Sequence, residues 1–199
     1  MNSQPLGASA ATNEISGQLK STDLSHDAGT ALTRAAVALI LRELNGDREV
    51  LFIERARDER DPWSGHLAFP GGKVETGEQE QQTAERETQE EIGLDLRPAQ
   101  YLGRLPDIVG ANLPVRVSCF AYLLADESPN IDVNAEVQDV FWVRLSDLRD
   151  RDRHVMSTVR FSETAMEVPA IILPQPYKPV LWGITYRLVM QYLEGAYQA

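Results

Sequence analysis

Glu87, Glu90 and Glu91 stand in one short polar stretch behind a Pro70-Gly71-Gly72 turn. In an α-helix these positions fall within about a turn and a quarter, so their carboxylates gather on one patch instead of ringing the cylinder. Left alone they repel one another. Hard oxygen ligands crowded in this way become favourable when a small dication such as Mg²⁺ or Mn²⁺ sits among them and a phosphate completes its coordination. Glu-rich helices are commonly solvated faces knitted by i,i+4 ion pairs. Here, from Glu78 to Glu91, six carboxylates face one cation, Arg86, so salt bridging does not account for the cluster. The chemistry to expect is attack on a phosphoanhydride. That reaction needs an electrophilic phosphorus, a deprotonated water and neutralised leaving-group charge, and clustered dications supply all three.

Gly72, Glu78, Arg86, Glu87, Glu90, Glu91, Gly93 and Leu94 lie at the offsets Gly-x5-Glu-x7-Arg-Glu-U-x-Glu-Glu-x-Gly-U, where U is a bulky aliphatic. This stretch resembles the Nudix box. Its seven fixed residue types would coincide by chance with a probability on the order of one in a billion per start position. Thr88 departs from the pattern at the first U, where a β-branched residue can still pack and return its hydroxyl to the backbone one turn back. The resemblance implies Glu90 and Glu91 as ligands of Mg²⁺ or Mn²⁺, with Glu87 either joining them or serving as the base. Arg86 would orient a glutamate through a charge-assisted contact, and Glu78 would reach the site through its loop. Gly71 and Gly72 let the backbone approach the ion, with the Gly71 carbonyl as a further ligand. A carboxylate from a later loop often joins such a site. Glu136 is the best placed, with an exposed loop glutamate as an equal reading.

Upstream, Leu51-Phe52-Ile53-Glu54-Arg55-Ala56, then Arg60, Gly65 and Phe69-Pro70-Gly71-Gly72, resemble the motif preceding the box in coenzyme A pyrophosphatases. Ile53 and Ala56 depart from it, and four residues instead of three separate Arg60 from Gly65. Leu181-Trp182-Gly183-Ile184-Thr185 resembles the start of that subfamily's last helix. The resemblance implies that Arg55 and Arg60 meet substrate phosphate, against strand-end surface charge as the alternative. Trp63 and Phe69 are expected to line the pocket, although buried aromatics are more often plain core. The implied activity is metal-dependent cleavage of coenzyme A or acyl-coenzyme A to 4′-phosphopantetheine and adenosine 3′,5′-bisphosphate. Hydrolysis of another nucleoside diphosphate derivative such as ADP-ribose is the alternative. A silent nucleotide-binding module is a third reading, disfavoured because without chemistry there is no need for so many mutually repelling carboxylates.

These residues need a frame. Thr33–Leu44 and residues 49–55 flank an Asn45-Gly46-Asp47 turn and predict a β-hairpin. Further strands are expected at 100–105, 116–124 and 137–143, a capped helical turn within 146–152, and loops at 126–134 and 174–178. The box predicts a helix ending near Gly93, and apolar spacing predicts a second over 179–193. Two helices around a mixed β-sheet make an α/β fold of the α/β/α sandwich type, the Nudix arrangement. Of the 199 residues, 1–30 are polar and poor in bulky apolar side chains, which predicts a loosely held tail ahead of one domain over 31–199.

A formal net charge of -11 argues against nucleic acid or an anionic membrane as partner, while leaving room for a small anion held through metal ions. There is neither a signal-peptide pattern nor a long apolar run, so a soluble cytoplasmic protein is expected. The lone cysteine, Cys119, lies in an apolar strand pattern and reads as core. His26, His66 and His154 lack ligand spacing for zinc, and His66 is the one placed to face the pocket. The expected partner is a small nucleoside diphosphate derivative. A homodimer is compatible with the sequence, which leaves assembly open.

Overall fold

A computed structural model describes residues 32–58, 63–110, 114–161 and 164–195, all within one compact unit, Ala31–Ala199. The expected tail over 1–30, and Arg60, lie outside the described residues.

β1 (Thr33–Leu44) and β2 (Asp47–Arg55) form the expected hairpin, pairing Leu44 with Asp47 and Leu41 with Val50. Asn45 and Gly46 both take positive φ, 54° and 81°, the turn whose twist matches that of its strands. β3 (Leu67–Ala68) pairs with β2 and β4 (Gly71–Lys73) with β1, so the turn between them is bolted to the sheet from both sides. α1 (Glu80–Ile92) follows and ends where Gly93 takes the left-handed conformation, its N–H returning to the Gln89 carbonyl. β5 (Gln100–Val109), β6 (Val115–Leu123) and β7 (Val137–Arg144) complete a seven-stranded mixed sheet. β6 runs parallel to β1, β5 is antiparallel to β6, and β7 is antiparallel to β2.

The continuous apolar run in β1 has a direct cause: both of its faces are covered. Ala36, Ala38 and Ile40 belong to the core that includes Ala84 and Ile92 of α1. Leu39 and Leu41 alternate with them onto the opposite core. There they join Leu145 and Leu148 of α2 (Leu145–Arg149) and Leu188 and Val189 of α3 (Gly183–Leu193). A large side chain buried like Leu39 or Ile40, both 0% exposed, stabilises by roughly 1.5–3 kcal/mol. Cys119, also in this core, has its thiol pushed well up by burial, as a packing residue should.

Four elements differ from expectation. The helical turn expected within 146–152 begins at Leu145 and has no side-chain cap, because Ser146 lies inside it and gives its hydroxyl to Asp47. β5 runs on to Val109 through Pro106, because it is an edge strand whose register shifts between Leu105 and Ile108, where a missing N–H costs little. The last helix begins at Gly183, since Leu181–Trp182 first pairs as a short strand with Ile171 and Ala170. That strand, β10, belongs to a separate three-stranded sheet with β8 (His154–Phe161) and β9 (Thr164–Ile171). The β8–β9 pair was not anticipated: its residues are mostly part-exposed, so its alternation of apolar and polar types is weak. No helix among the described residues is long and apolar enough to cross a membrane.

Candidate active site

Of the five residues that α1 buries, four are small or polar, Thr83, Ala84, Thr88 and Glu91, and the fifth, Ile92, closes its last turn on the core. Thr88 returns its hydroxyl to the Ala84 carbonyl at 2.7 Å, which explains how it replaces an aliphatic residue without an unmet polar group. Small residues let the helix lie close to the sheet, and this brings its glutamates onto the Pro70–Gly72 turn. A Cβ on Gly71, whose φ is +153°, would stand 2.2 Å from the Ala36 carbonyl oxygen. One on Gly72 would stand 2.4 Å from the Glu87 carboxyl carbon. The glycines are therefore there because strand backbone fills one space and a helix carboxylate the other.

Glu91 is 2% exposed, and one of its oxygens accepts the Gly71 N–H at 2.9 Å. Burial pushes its pKa up to about 7, against the opposing pull of that N–H and of Arg55, while Glu87 and Glu136 push it further. Glu87 is raised as well, mainly by burial, with Arg86 opposing. Glu91, Glu87, Glu136 and Arg55 thus sense one another electrostatically. Glu90 is more than half exposed and faces outward.

Arg86 organises the other side. Nε and Nη2 grip Glu78 bidentately at 2.9 and 3.1 Å, while Nη1 donates to Glu87 at 2.9 Å and Glu90 at 3.0 Å. Glu78 also accepts the Thr83 hydroxyl at 2.7 Å and the Glu75 N–H at 3.2 Å. With Arg86 as the main cause, the Glu78 pKa falls to about 2. From the loop ahead of α1, Glu78 thus anchors Arg86.

Glu136 arrives by a different route. The Asp132 and Asn134 N–H groups donate to the Ile92 and Glu91 carbonyls at the open end of α1, and Asn134 Oδ1 accepts the Glu136 N–H at 2.8 Å. The loop after β6 therefore docks on the helix terminus and sets Glu136 beside Glu91. Among the described residues no three acidic or imidazole side chains close around a point as a ready ion cage, because Arg86 draws Glu87 and Glu90 toward itself. The donor set still fits a hard dication: carboxylate oxygens only, two of them raised in pKa chiefly by burial. Gly71 contributes its N–H to this arrangement.

A cavity of about 230 Å³ opens beside the turn, lined by Gly71, Arg55, Trp63, His66, Trp182 and Thr185 among others. Arg55, Trp63 and His66 thus line one cavity. Phe69 lines it as well, while its ring, 2% exposed, is anchored in the core against Phe52 at 5.3 Å. Its part is to seat the Pro70–Gly72 turn. The sequence reading missed Trp182 and Thr185 as walls, although both stand in the Leu181–Thr185 motif. It also missed Lys178, which bonds Glu54 at 2.7 Å and Asp139 and so pins the 174–180 loop beside Arg55.

The model of the NUDIX domain matches residues 32–163. Nudix hydrolase 3 of Caenorhabditis elegans is 32% identical over 61% of this chain and 50% of its own length. The mitochondrial coenzyme A diphosphatase NUDT8 of Mus musculus is 29% identical over 76% of this chain and 72% of its own. Among solved structures, the Ap4A hydrolase of C. elegans superposes with a TM-score of 0.50 at 25% identity, over 58% of this chain and 82% of its own. The chain spans about a third to a half of the length of the first curated relatives it matches. The glutamate helix on its glycine turn, within a matched domain that covers most of the chain, places this protein in the Nudix hydrolase family.

Proposed function

We propose that this protein is a divalent-metal-dependent diphosphate hydrolase acting on coenzyme A or an acyl derivative. The observation that carries the hydrolase reading is the buried Glu91 carboxylate, tied to the Gly71 N–H and flanked by Glu87 and Glu136. A buried cluster of this sign is costly in a module that merely binds, and becomes favourable with a cation. The likeness to the mouse coenzyme A diphosphatase over 76% of the chain supports the substrate. Arg55 at the cavity mouth supports an anionic one.

Glu91, Glu90 and Glu136 would hold Mg²⁺ or Mn²⁺, with Glu87 either joining them or serving as the base. When bound, the ion polarises the phosphoryl group and lowers the pKa of a bound water. Arg86 keeps Glu87 oriented toward the turn, and Arg55 offers its guanidinium to substrate phosphate. As the base, Glu87, whose pKa burial raises, would take the proton of the attacking water. Water adds to one phosphorus and the bridging oxygen leaves with the other phosphate, giving 4′-phosphopantetheine and adenosine 3′,5′-bisphosphate. A cytoplasmic setting belongs to the same proposal.

A chromatographic screen of coenzyme A compounds, ADP-ribose and dinucleoside polyphosphates, with Mg²⁺, Mn²⁺ or EDTA, tests this reading. The expected result is metal-dependent release of 4′-phosphopantetheine. Cleavage of ADP-ribose alone would move the substrate, and no cleavage of any diphosphate would favour the binding module.

A further inference from the structure

A second cavity, of about 380 Å³, lies between the β8–β9 hairpin and α3. Phe161, Met166, Val168 and Pro169 of the hairpin form one wall, and Ile184 and Tyr186 of α3 the other. Its volume falls in the range of small-molecule sites, roughly 300–1,000 Å³. Trp63, Trp182 and Ile184 also line the cavity beside Gly71 and Arg55, so the two cavities meet at these side chains. The rings at the junction pack on one another: Trp63 lies 4.7 Å from Phe161, and His66 lies 5.0 Å from Trp182.

We infer that this groove is a specificity subsite that takes an aliphatic tail on the substrate's non-nucleotide arm. The inference rests on the diphosphate-hydrolase reading, which puts the phosphates at Arg55 and Gly71. The charged residue of the groove, Arg187, spends Nη1 on the Val109 carbonyl at 3.1 Å. A nucleobase placed there would find few replacement partners for the water its donors and acceptors lose, because most of the lining surface is apolar. A hydrocarbon tail loses nothing and covers the exposed flanks of Met166, Val168 and Ile184. The hairpin that makes this wall lies apart from the glutamate cluster, so it tunes which diphosphate is held without entering the chemistry.

The test uses the full chain with Mg²⁺ and compares coenzyme A with its acetyl, hexanoyl and decanoyl thioesters. The expected result is a KM that falls about twofold per added methylene, as half-burial of each group implies, with kcat steady. Val168→Trp fills the groove and Met166→Lys places a charge in it, so each should bring the decanoyl compound to the KM of the acetyl one. A KM independent of chain length, or a length dependence that survives both substitutions, overturns the subsite. Failure of the underlying substrate reading would look different, since no thioester would be cleaved. Calorimetric titration of decyl and ethyl diphosphate then decides. Decyl binding tighter by at least about tenfold, and lost in Val168→Trp, supports the groove, whereas equal binding overturns it.

Discussion

Gly71 donates its N–H to a Glu91 carboxylate oxygen at 2.9 Å, joining a strand end to a helix turn twenty residues later. The bond favours the charged form against burial, which still holds the carboxyl at a pKa of about 7. It also means that any substitution altering the turn is felt at the carboxylate, and the neighbouring glycines make the effect separable.

Gly71→Ala and Gly72→Ala should fail in different ways. A Cβ at 71 meets the Ala36 backbone at 2.2 Å and requires a φ of +153°, so that variant should lose roughly 1–3 kcal/mol or more of stability. At 72 the Cβ meets only the movable end of Glu87, at 2.4 Å. Gly72→Ala should therefore melt close to wild type while kcat falls at least about tenfold. Thermal melts and initial rates on the two proteins check this; equal loss of stability in both would contradict it.

Arg86 divides one guanidinium among three glutamates, a task that needs a planar fork. Arg86→Lys should lower kcat by about 10–100-fold with KM little changed, the size of effect seen when a group that orients metal ligands is lost. A shift confined to KM would show that Arg86 touches substrate instead.

Glu78 carries a pH signature. Its folded pKa, about 2, lies below its ordinary 4.5, so its ion pair stabilises the fold above 4.5 and the contribution disappears as pH falls through about 2. Melts of wild type and Glu78→Gln should differ most near neutrality and converge in acid. A gap that persists unchanged at about pH 2 would refute the assignment.

The box helix, the hairpin and the sheet were legible because their signals are local: fixed glutamate offsets, Asn45-Gly46, and β1 apolar on both faces. Glu136 was legible only as a position, since its placement depends on Asp132 and Asn134 capping a helix that is distant in sequence. Phe69 was legible as a pocket wall from its place beside the turn, whereas its stacking on Phe52 was not. The β8–β9 hairpin escaped because part-exposed strands carry little periodicity, and with it escaped the walls that Trp182 and Thr185 give the cavity. Glu78 was legible as a motif position, whereas its bidentate hold on Arg86 appears only in the fold.

The central claim, a metal-assisted reaction at Glu91, is tested most directly by Glu91→Gln. Glutamine keeps an acceptor for the Gly71 N–H and removes the buried charge, so the fold should melt within a few degrees of wild type. On the diphosphate that wild type cleaves fastest, at saturating Mg²⁺, kcat should fall by on the order of 10²-fold or more. A folded Glu91→Gln protein with wild-type, Mg²⁺-dependent turnover would contradict the account.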